Sequence, residues 1–480
     1  MLTYDISKKE NEPLYEFLYH QIKQDILKGI LKADEKLPSK RTFAKQLSVS
    51  VITIENTYAQ LQTEGYIYSK PKSGFFVSPL DTSNLQFSNS LAKASNQKKP
   101  FLSDTDFKEH SDANTQKVNA LIADFSNNST VSDNFPFSIW AKLSRETMLD
   151  LQDLLMEKSP SQGIFELRNA IADYLRQFRG MQVDSSQIII GAGTEYLYSL
   201  LLQLLGLDKT YAVEDPGYSK IARIYHAHRV TTKHIPLDKN GLNTQALEDS
   251  NAQVVHISPS HHFPTGIITP IRRRLELLDW ASQKKDRYII EDEYDSEFRL
   301  SGKPIPTLQS IDTRNRVIYM NTFSKSLTHT IRISYMVLPK PLMELYKKNF
   351  SFYSCTVSNF EQYTLARFIT MGYFEKHINR MRNQYRNTRN ALLRYIKENS
   401  PVPIEITEEH AGLHFLLKVN ATITDEELTK RALENGVAIT CLSRFYANPK
   451  EAPAHIIIIN YSGLKPDDVP DALDALFRCL

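Results

Sequence analysis

The chain has 480 residues, 41% of them hydrophobic and 24% charged, the balance of a soluble globular protein long enough for two or three domains. Lys and Arg number 58 against 55 Asp and Glu, a formal net charge of +3. That excludes a polybasic, histone-like protein and leaves room for a small DNA-binding module. Three scattered cysteines, Cys355, Cys441 and Cys479, form no CxxC pair, so neither a disulfide scaffold nor a metal site is expected and a reducing cytoplasm fits. The start, MLTYDISKKENEP, lacks the apolar run of a secretory signal, and the longest apolar stretch, near Leu197 to Leu207, is too short to span a bilayer. We expect a cytoplasmic protein with no membrane partner.

Composition divides the chain into three zones, 1–78, 79–120 and 121–480. In the first, Leu14, Phe17, Leu18, Ile22, Ile26 and Leu27 recur at helical spacing. A second helix is expected after Pro38, capped by Ser39, with Phe43, Ala44 and Leu47 facing in. Ser48-Val49-Ser50 makes a short turn into a third helix, expected to bury Ile52, Ile54, Tyr58 and Leu61. Two short helices joined by a tight turn are helix-turn-helix geometry, whose second helix enters the DNA major groove. YIYSKPKSGFFV then alternates as a hairpin with Lys70, Lys72 and Gly74 at its tip. Bulk charge over this zone is nearly balanced, so pattern alone also fits a plain interaction module. The run holding Lys36, Lys40, Arg41 and Lys45 contains no acid, which favours phosphate contact. LPSKRTFAKQLSVSVITIENTYAQLQTEGYIYSKPKSGFFV resembles the winged helix-turn-helix of the GntR transcription-factor family. The resemblance implies double-stranded operator DNA as partner, contacted through Lys40, Arg41, Ser50, Thr53, Asn56, Lys70 and Lys72. Val51 departs from the basic residue usual at its position.

Residues 79–120 are rich in Ser, Asn, Asp and Lys and poor in aliphatics. They bury too little surface to offset their ordering entropy, so a flexible linker is expected. Beyond it, short apolar runs at Gln187–Gly191, Val254–Ser258, Tyr288–Glu291, Val317–Met320 and His455–Asn460 alternate with amphipathic stretches. This predicts an α/β domain with a mostly parallel sheet.

Several motifs follow those strands. Lys325, in Phe323-Ser324-Lys325-Ser326, comes just after VIYMNT, and a lysine at the end of a buried strand can lose its proton and condense with an aldehyde. Thr322, Ser324 and Arg332 would suit a phosphate. Asp292 and Tyr294 end another strand and project to the same side of an extended chain. A carboxylate there can keep a pyridine nitrogen protonated. Gly193 and Thr194 open a helix after a strand, where backbone N–H groups can approach a phosphate. Tyr218 follows an Asp-Pro-Gly turn and could stack on a flat ring. Each piece is weak alone. In this order and spacing they resemble the fold-type-I aminotransferases, which use pyridoxal 5′-phosphate, over residues 121–480.

That resemblance implies a large coenzyme domain with a smaller C-terminal α+β subdomain. It makes Lys325 the lysine that carries the coenzyme, with Asp292 on the pyridine nitrogen, Tyr294 on the ring hydroxyl and Tyr218 on the ring face. Gly193, Thr194, Thr322, Ser324 and Arg332 would hold the phosphate, and Arg444 a substrate carboxylate. The usual Asn-Pro-Thr-Gly is here Phe263-Pro264-Thr265-Gly266, leaving His261 or His262 to replace the missing amide. The usual Pro-Gly before the phosphate arginine is His329-Thr330-Ile331.

A GntR-like module joined to such a domain resembles the MocR/GabR group of bacterial regulators, to which FPTG, EDEYDSEF, NTFSKSL and RISYMVLP are also similar. The resemblance implies a homodimer in which an amino-compound effector, or the coenzyme itself, alters operator binding, with RNA polymerase as a further partner. Lys220 would join Arg444 on the effector; GABA-responsive members carry arginines there, which points away from GABA. A transaminase with an accessory DNA module and a degenerate dimerisation scaffold are the competing readings. Physiological enzyme activity is not expected, and residual transamination is compatible with the residue set.

Overall fold

The computed structural model describes residues 4, 13–70, 73–79, 121–127, 134–300, 305–408 and 412–480. Lys72 and all but the first residue of the expected linker lie outside these. The N-terminal unit is three helices and a hairpin: α1 (Leu14–Leu27), α2 (Lys40–Leu47), α3 (Val51–Thr63), β1 (Ile67–Lys70) and β2 (Gly74–Val77). Local chemistry sets its turns. Ser39 Oγ accepts the Thr42 N–H at 3.1 Å and Ser50 Oγ the Thr53 N–H at 3.1 Å, capping α2 and α3. Ser48 ends α2 in the left-handed region at φ 54°.

Leu18, Ile22, Phe43, Ile54, Tyr58 and Leu61 close the core of this unit. Ile52 corrects the sequence expectation: it is 68% exposed. Ile54, Tyr58 and Leu61 lie on one helical face, and Ile52, two positions earlier, sits about 200° round the helix from Ile54. Val51, beside it, is exposed as well.

The large unit is built on an eight-stranded sheet. In chain order its strands are β4 (Ile188–Gly191), β5 (Thr210–Asp215), β6 (Thr231–Asp238), β7 (Gly241–Leu242), β8 (Val254–Ile257), β9 (Tyr288–Glu293), β10 (Val317–Thr322) and β11 (Ser334–Val337); a two-residue strand, β3 (Ala123–Asp124), precedes them outside the sheet. The spatial order is β4-β11-β10-β9-β8-β5-β6-β7, with β11 and β7 antiparallel to their neighbours and the others parallel. The central strands are buried along their length, as expected of a parallel sheet covered on both faces. A smaller antiparallel sheet joins β12 (Ile404–Thr407), β13 (His414–Val419) and β16 (Ile456–Asn460) with β15 (Thr440–Cys441), while β14 (Val437–Ala438) pairs in parallel with β3.

The two units share a core. Ile271 and Leu275, at the start of the helix Ile271–Gln283, pack into the hydrophobic cluster of the N-terminal unit. The Ile271 N–H donates to the Glu64 carbonyl at 2.7 Å. Gly65, at φ +79°, lies so close to Pro270 that a Cβ there would sit 2.7 Å from the proline Cβ. The Glu64 carboxylate is buried and accepts from Tyr19 Oη at 2.7 Å and Lys23 Nζ at 3.2 Å.

Candidate functional site

The carboxyl ends of β4, β5, β8, β9 and β10 open on one edge of the sheet, where open α/β folds place ligands. Asp292 and Met320 are register partners on β9 and β10, so the acid and the segment after Thr322 become neighbours although they are far apart in sequence. Lys325 lies in the short helix Phe323–Ser326 that follows β10. Burial lowers its amine from 10.5 to about 8, against a smaller opposing pull from Asp295. At pH 7 about a tenth of it is therefore free amine, the form that attacks a carbonyl.

Asp292 is held by two side chains that the sequence motifs do not include. Tyr198 donates to its Oδ2, and His256 Nε2 lies 3.1 Å from the same oxygen. His256 Nδ1 in turn lies 2.7 Å from Tyr225 Oη. The signal for His256 was a polar residue inside the apolar run Val-Val-His-Ile; Tyr198 carried none, because its role depends on how the helix Thr194–Leu205 packs.

Tyr294 follows β9 and lies 3.0 Å from His261 Nδ1. Between the two histidines left open by the sequence, the structure puts His261 beside this tyrosine. His262 turns away, with Nδ1 2.7 Å from Thr265 Oγ1, and burial drives it down to about 3.

A second cluster forms at the N-terminus of Thr194–Leu205. Gly193 precedes it at φ +89°, and a Cβ there would lie 2.3 Å from Arg332 Nη2, so only glycine admits the guanidinium. Arg332 is left-handed at φ 49°, after the single turn His329–Ile331. Arg332 and Lys220 both pair with Glu195, whose carboxyl is held below its usual range by the Lys220 hydrogen bond first. Thr322 Oγ1 accepts the Ser324 N–H at 3.1 Å and the Ser334 hydroxyl at 2.8 Å. Ser324 Oγ is buried with no partner.

Tyr218 caps the helix Ser219–Ala227 and is 46% exposed, its ring edge-on to Phe263 at 6.1 Å. Beside it lies a cavity of about 230 Å³ bordered by Glu214, His256, Phe263 and Phe445. Glu214 is raised by burial to about 8. Arg444, in the turn Leu442–Phe445, is exposed, and neither it nor Lys220 lines that cavity.

On the N-terminal unit, Arg41, Ser50, Asn56 and Lys70 are exposed, and Thr53 partly so. Lys40 pairs with Glu55 across α2 and α3. Among the described residues no helix is long and apolar enough to cross a membrane.

Comparisons with known proteins agree with this architecture. Residues 14–77 match the family of bacterial regulatory proteins, gntR family, and residues 124–476 match aminotransferase class I and II. The chain is 38% identical over 464 residues to the uncharacterized HTH-type transcriptional regulator YdeL of Bacillus subtilis (strain 168), covering 97% of this chain and 96% of the relative. It is 30% identical to the probable rhizopine catabolism regulatory protein MocR of Rhizobium meliloti, covering 98% and 94%. It is also 30% identical to the HTH-type pyridoxine biosynthesis transcriptional regulator PdxR of Corynebacterium glutamicum, covering 89% and 88%. The multiple substrate aminotransferase of Thermococcus profundus shares the fold of the large unit, with a TM-score of 0.66 at 22% identity over 76% of this chain and 92% of that one. The chain therefore belongs to the MocR-type transcriptional regulators, in which a GntR helix-turn-helix domain is joined to an aminotransferase class I and II domain.

Proposed function

We propose that this regulator binds pyridoxal 5′-phosphate on Lys325 and couples the state of that site, set by an amino-compound effector or by the coenzyme itself, to operator binding as a cytoplasmic homodimer. The observation that carries the reading is the amine of Lys325, lowered to about 8 by burial, at the same sheet edge as the anchored Asp292 carboxylate. The residues fit the coenzyme. Ser324 Oγ is buried and unpaired, and Gly193 leaves room that a Cβ would fill. The coenzyme would supply an electrophilic aldehyde and an electron-withdrawing ring.

The chain's own residues do the rest. Lys325 would offer its free amine to the aldehyde. Asp292, fixed by Tyr198 and His256, would keep the ring nitrogen protonated. Tyr294 would bond the ring hydroxyl, and Tyr218 would cover the ring. Arg332, now paired with Glu195, would hold the phosphate together with Thr322, Ser324 and the N–H groups at Gly193 and Thr194. Arg444 and Lys220 would take an effector carboxylate when the C-terminal subdomain closes. A ligand moves the equilibrium between domain arrangements only by binding them unequally.

The visible spectrum before and after adding pyridoxal 5′-phosphate, read beside binding to an operator fragment, tests this. A yellow band lost in Lys325→Ala, with effector response lost alongside, supports the reading. Absence of any such band in the wild type refutes it. Sustained turnover with an amino donor and a 2-oxo acid would make the protein a transaminase with an accessory DNA module.

A further inference from the structure

His261 is held through its Nδ1 edge. Its Nδ1 lies 2.9 and 3.1 Å from the two carboxylate oxygens of Asp295. An ionised carboxylate only accepts hydrogen bonds, so the nitrogen facing it carries a proton. Its Nε2 is buried without a partner. That edge borders a cavity of about 20 Å³ shared with Arg179, Arg299, Ser260 and Ser296, whose Nε and Oγ atoms are also buried without hydrogen bonds. The cavity has room for one water, and beside guanidinium nitrogens that only donate a bare Nε2 supplies an acceptor. The Asp295 edge selects the tautomer with hydrogen on Nδ1, and the unpartnered edge accommodates the bare Nε2.

The ring is held in place as well. Gly412, at φ +71°, lies on it so closely that a Cβ would come within 1.8 Å of Cε1. The His414 ring sits 4.7 Å away, tied to the Pro264 carbonyl through Nε2 at 3.1 Å. Tyr294 Oη is 3.0 Å from the same Nδ1, which has no lone pair to offer it. Burial, then the charges of Asp295 and Glu293, keep the Tyr294 phenol protonated far above its usual range.

We infer that the Asp295–His261 pair fixes the polarity of the Tyr294 hydroxyl: the single Nδ1–H, shared between the Asp295 carboxylate and Oη, faces a lone pair of Oη, and the phenolic proton is left to donate toward the ligand side. His261 and Asp295 are thus positioning residues. His261, two positions upstream of Phe263, would replace an amide that cannot come from a phenylalanine, with Asp295 orienting it. What the proton meets rests on the coenzyme reading above; the tautomer does not.

The tautomer is read by ¹⁵N-detected NMR of histidine-labelled, coenzyme-free full-length protein, with His261→Asn identifying the signal. Nδ1–H is expected, and Nε2–H overturns the inference. The second arm titrates the visible band of the loaded protein with pH. A donor on the ring oxygen favours the form with one more negative charge, so His261→Leu should move the midpoint up by about one pH unit. His261→Asn, whose amide can donate from nearly the position of Nδ1, should stay within about 0.3 of the wild type. Equal displacement in both variants, or none in either, overturns the role. A wild type that never colours refutes the coenzyme reading while the NMR result stands by itself.

Discussion

Lys325 carries a stability cost set by its burial. Its amine sits at about 8 in the fold against 10.5 as the ordinary value, so holding it charged near neutrality costs up to about 3 kcal/mol. The sign follows from proton binding. Below pH 8 both folded and unfolded chains are protonated there and the whole penalty applies. Between 8 and 10.5 the unfolded chain binds more protons, so this contribution to stability rises with pH, and above 10.5 it vanishes. Lys325→Met, similar in length and uncharged, should stabilise the coenzyme-free large unit by up to about 3 kcal/mol at pH 7. The gain should fall to about 1.4 kcal/mol at pH 9.5. Both tryptophans, Trp140 and Trp280, are buried in that unit, so their fluorescence follows its urea unfolding. With a slope of about 3 kcal/mol per molar, the midpoint should rise by as much as about 1 M. An unchanged midpoint, or a gain equal at both pH values, would refute the argument.

Other substitutions probe the remaining parts. Gly193→Ala forces a side chain to φ +89° and within 2.3 Å of Arg332 Nη2; coenzyme affinity should fall tenfold or more with tryptophan fluorescence unchanged. Gly65→Ala wedges a Cβ 2.7 Å from the Pro270 Cβ and should cost about 2 kcal/mol of contact between the units, seen as faster proteolysis of the N-terminal unit. Arg41→Ala should weaken DNA binding uniformly across sequences and reduce the logarithmic salt dependence by about one. Ile52→Ser, at an exposed position early on α3, should weaken only a selected operator, by about 1 kcal/mol through loss of a thymine methyl contact, with the salt dependence unchanged.

Most of the framework was legible before any coordinates. Ser39, the turn at Ser48 and the spacing of Ile54, Tyr58 and Leu61 report local chemistry and a short period, so the bounds of α1 and α2 follow from sequence alone. β8, β9 and β10 declare themselves as apolar runs because parallel strands are buried on both faces. Among the described residues nine strands escaped, four of them only two residues long; the longer ones are β5, β6, β11, β12 and β13. Their runs mix polar residues with apolar ones, as in Thr-Thr-Lys-His-Ile-Pro-Leu-Asp of β6, or pass into helical patterns. Ile52 was misplaced because apolarity alone does not fix the side of a helix.

The motifs holding Lys325, Asp292 and Arg332 are contiguous, so the sequence displays them. Their supporting shell is not. Tyr198 and His256 reach Asp292 from 94 and 36 residues away, and Arg179 reaches Glu293 across 114 residues. The choice of His261 over His262 depends on where Asp295 and Gly412 land. The contact of Glu64 and Gly65 with Pro270 and Ile271 joins segments some 200 residues apart. Sequence by itself determined which chemical groups this regulator owns and which helices present them. The tertiary structure decided which groups touch, because burial and hydrogen bonding between distant segments are set only once the sheet and its crossovers bring their ends to one edge.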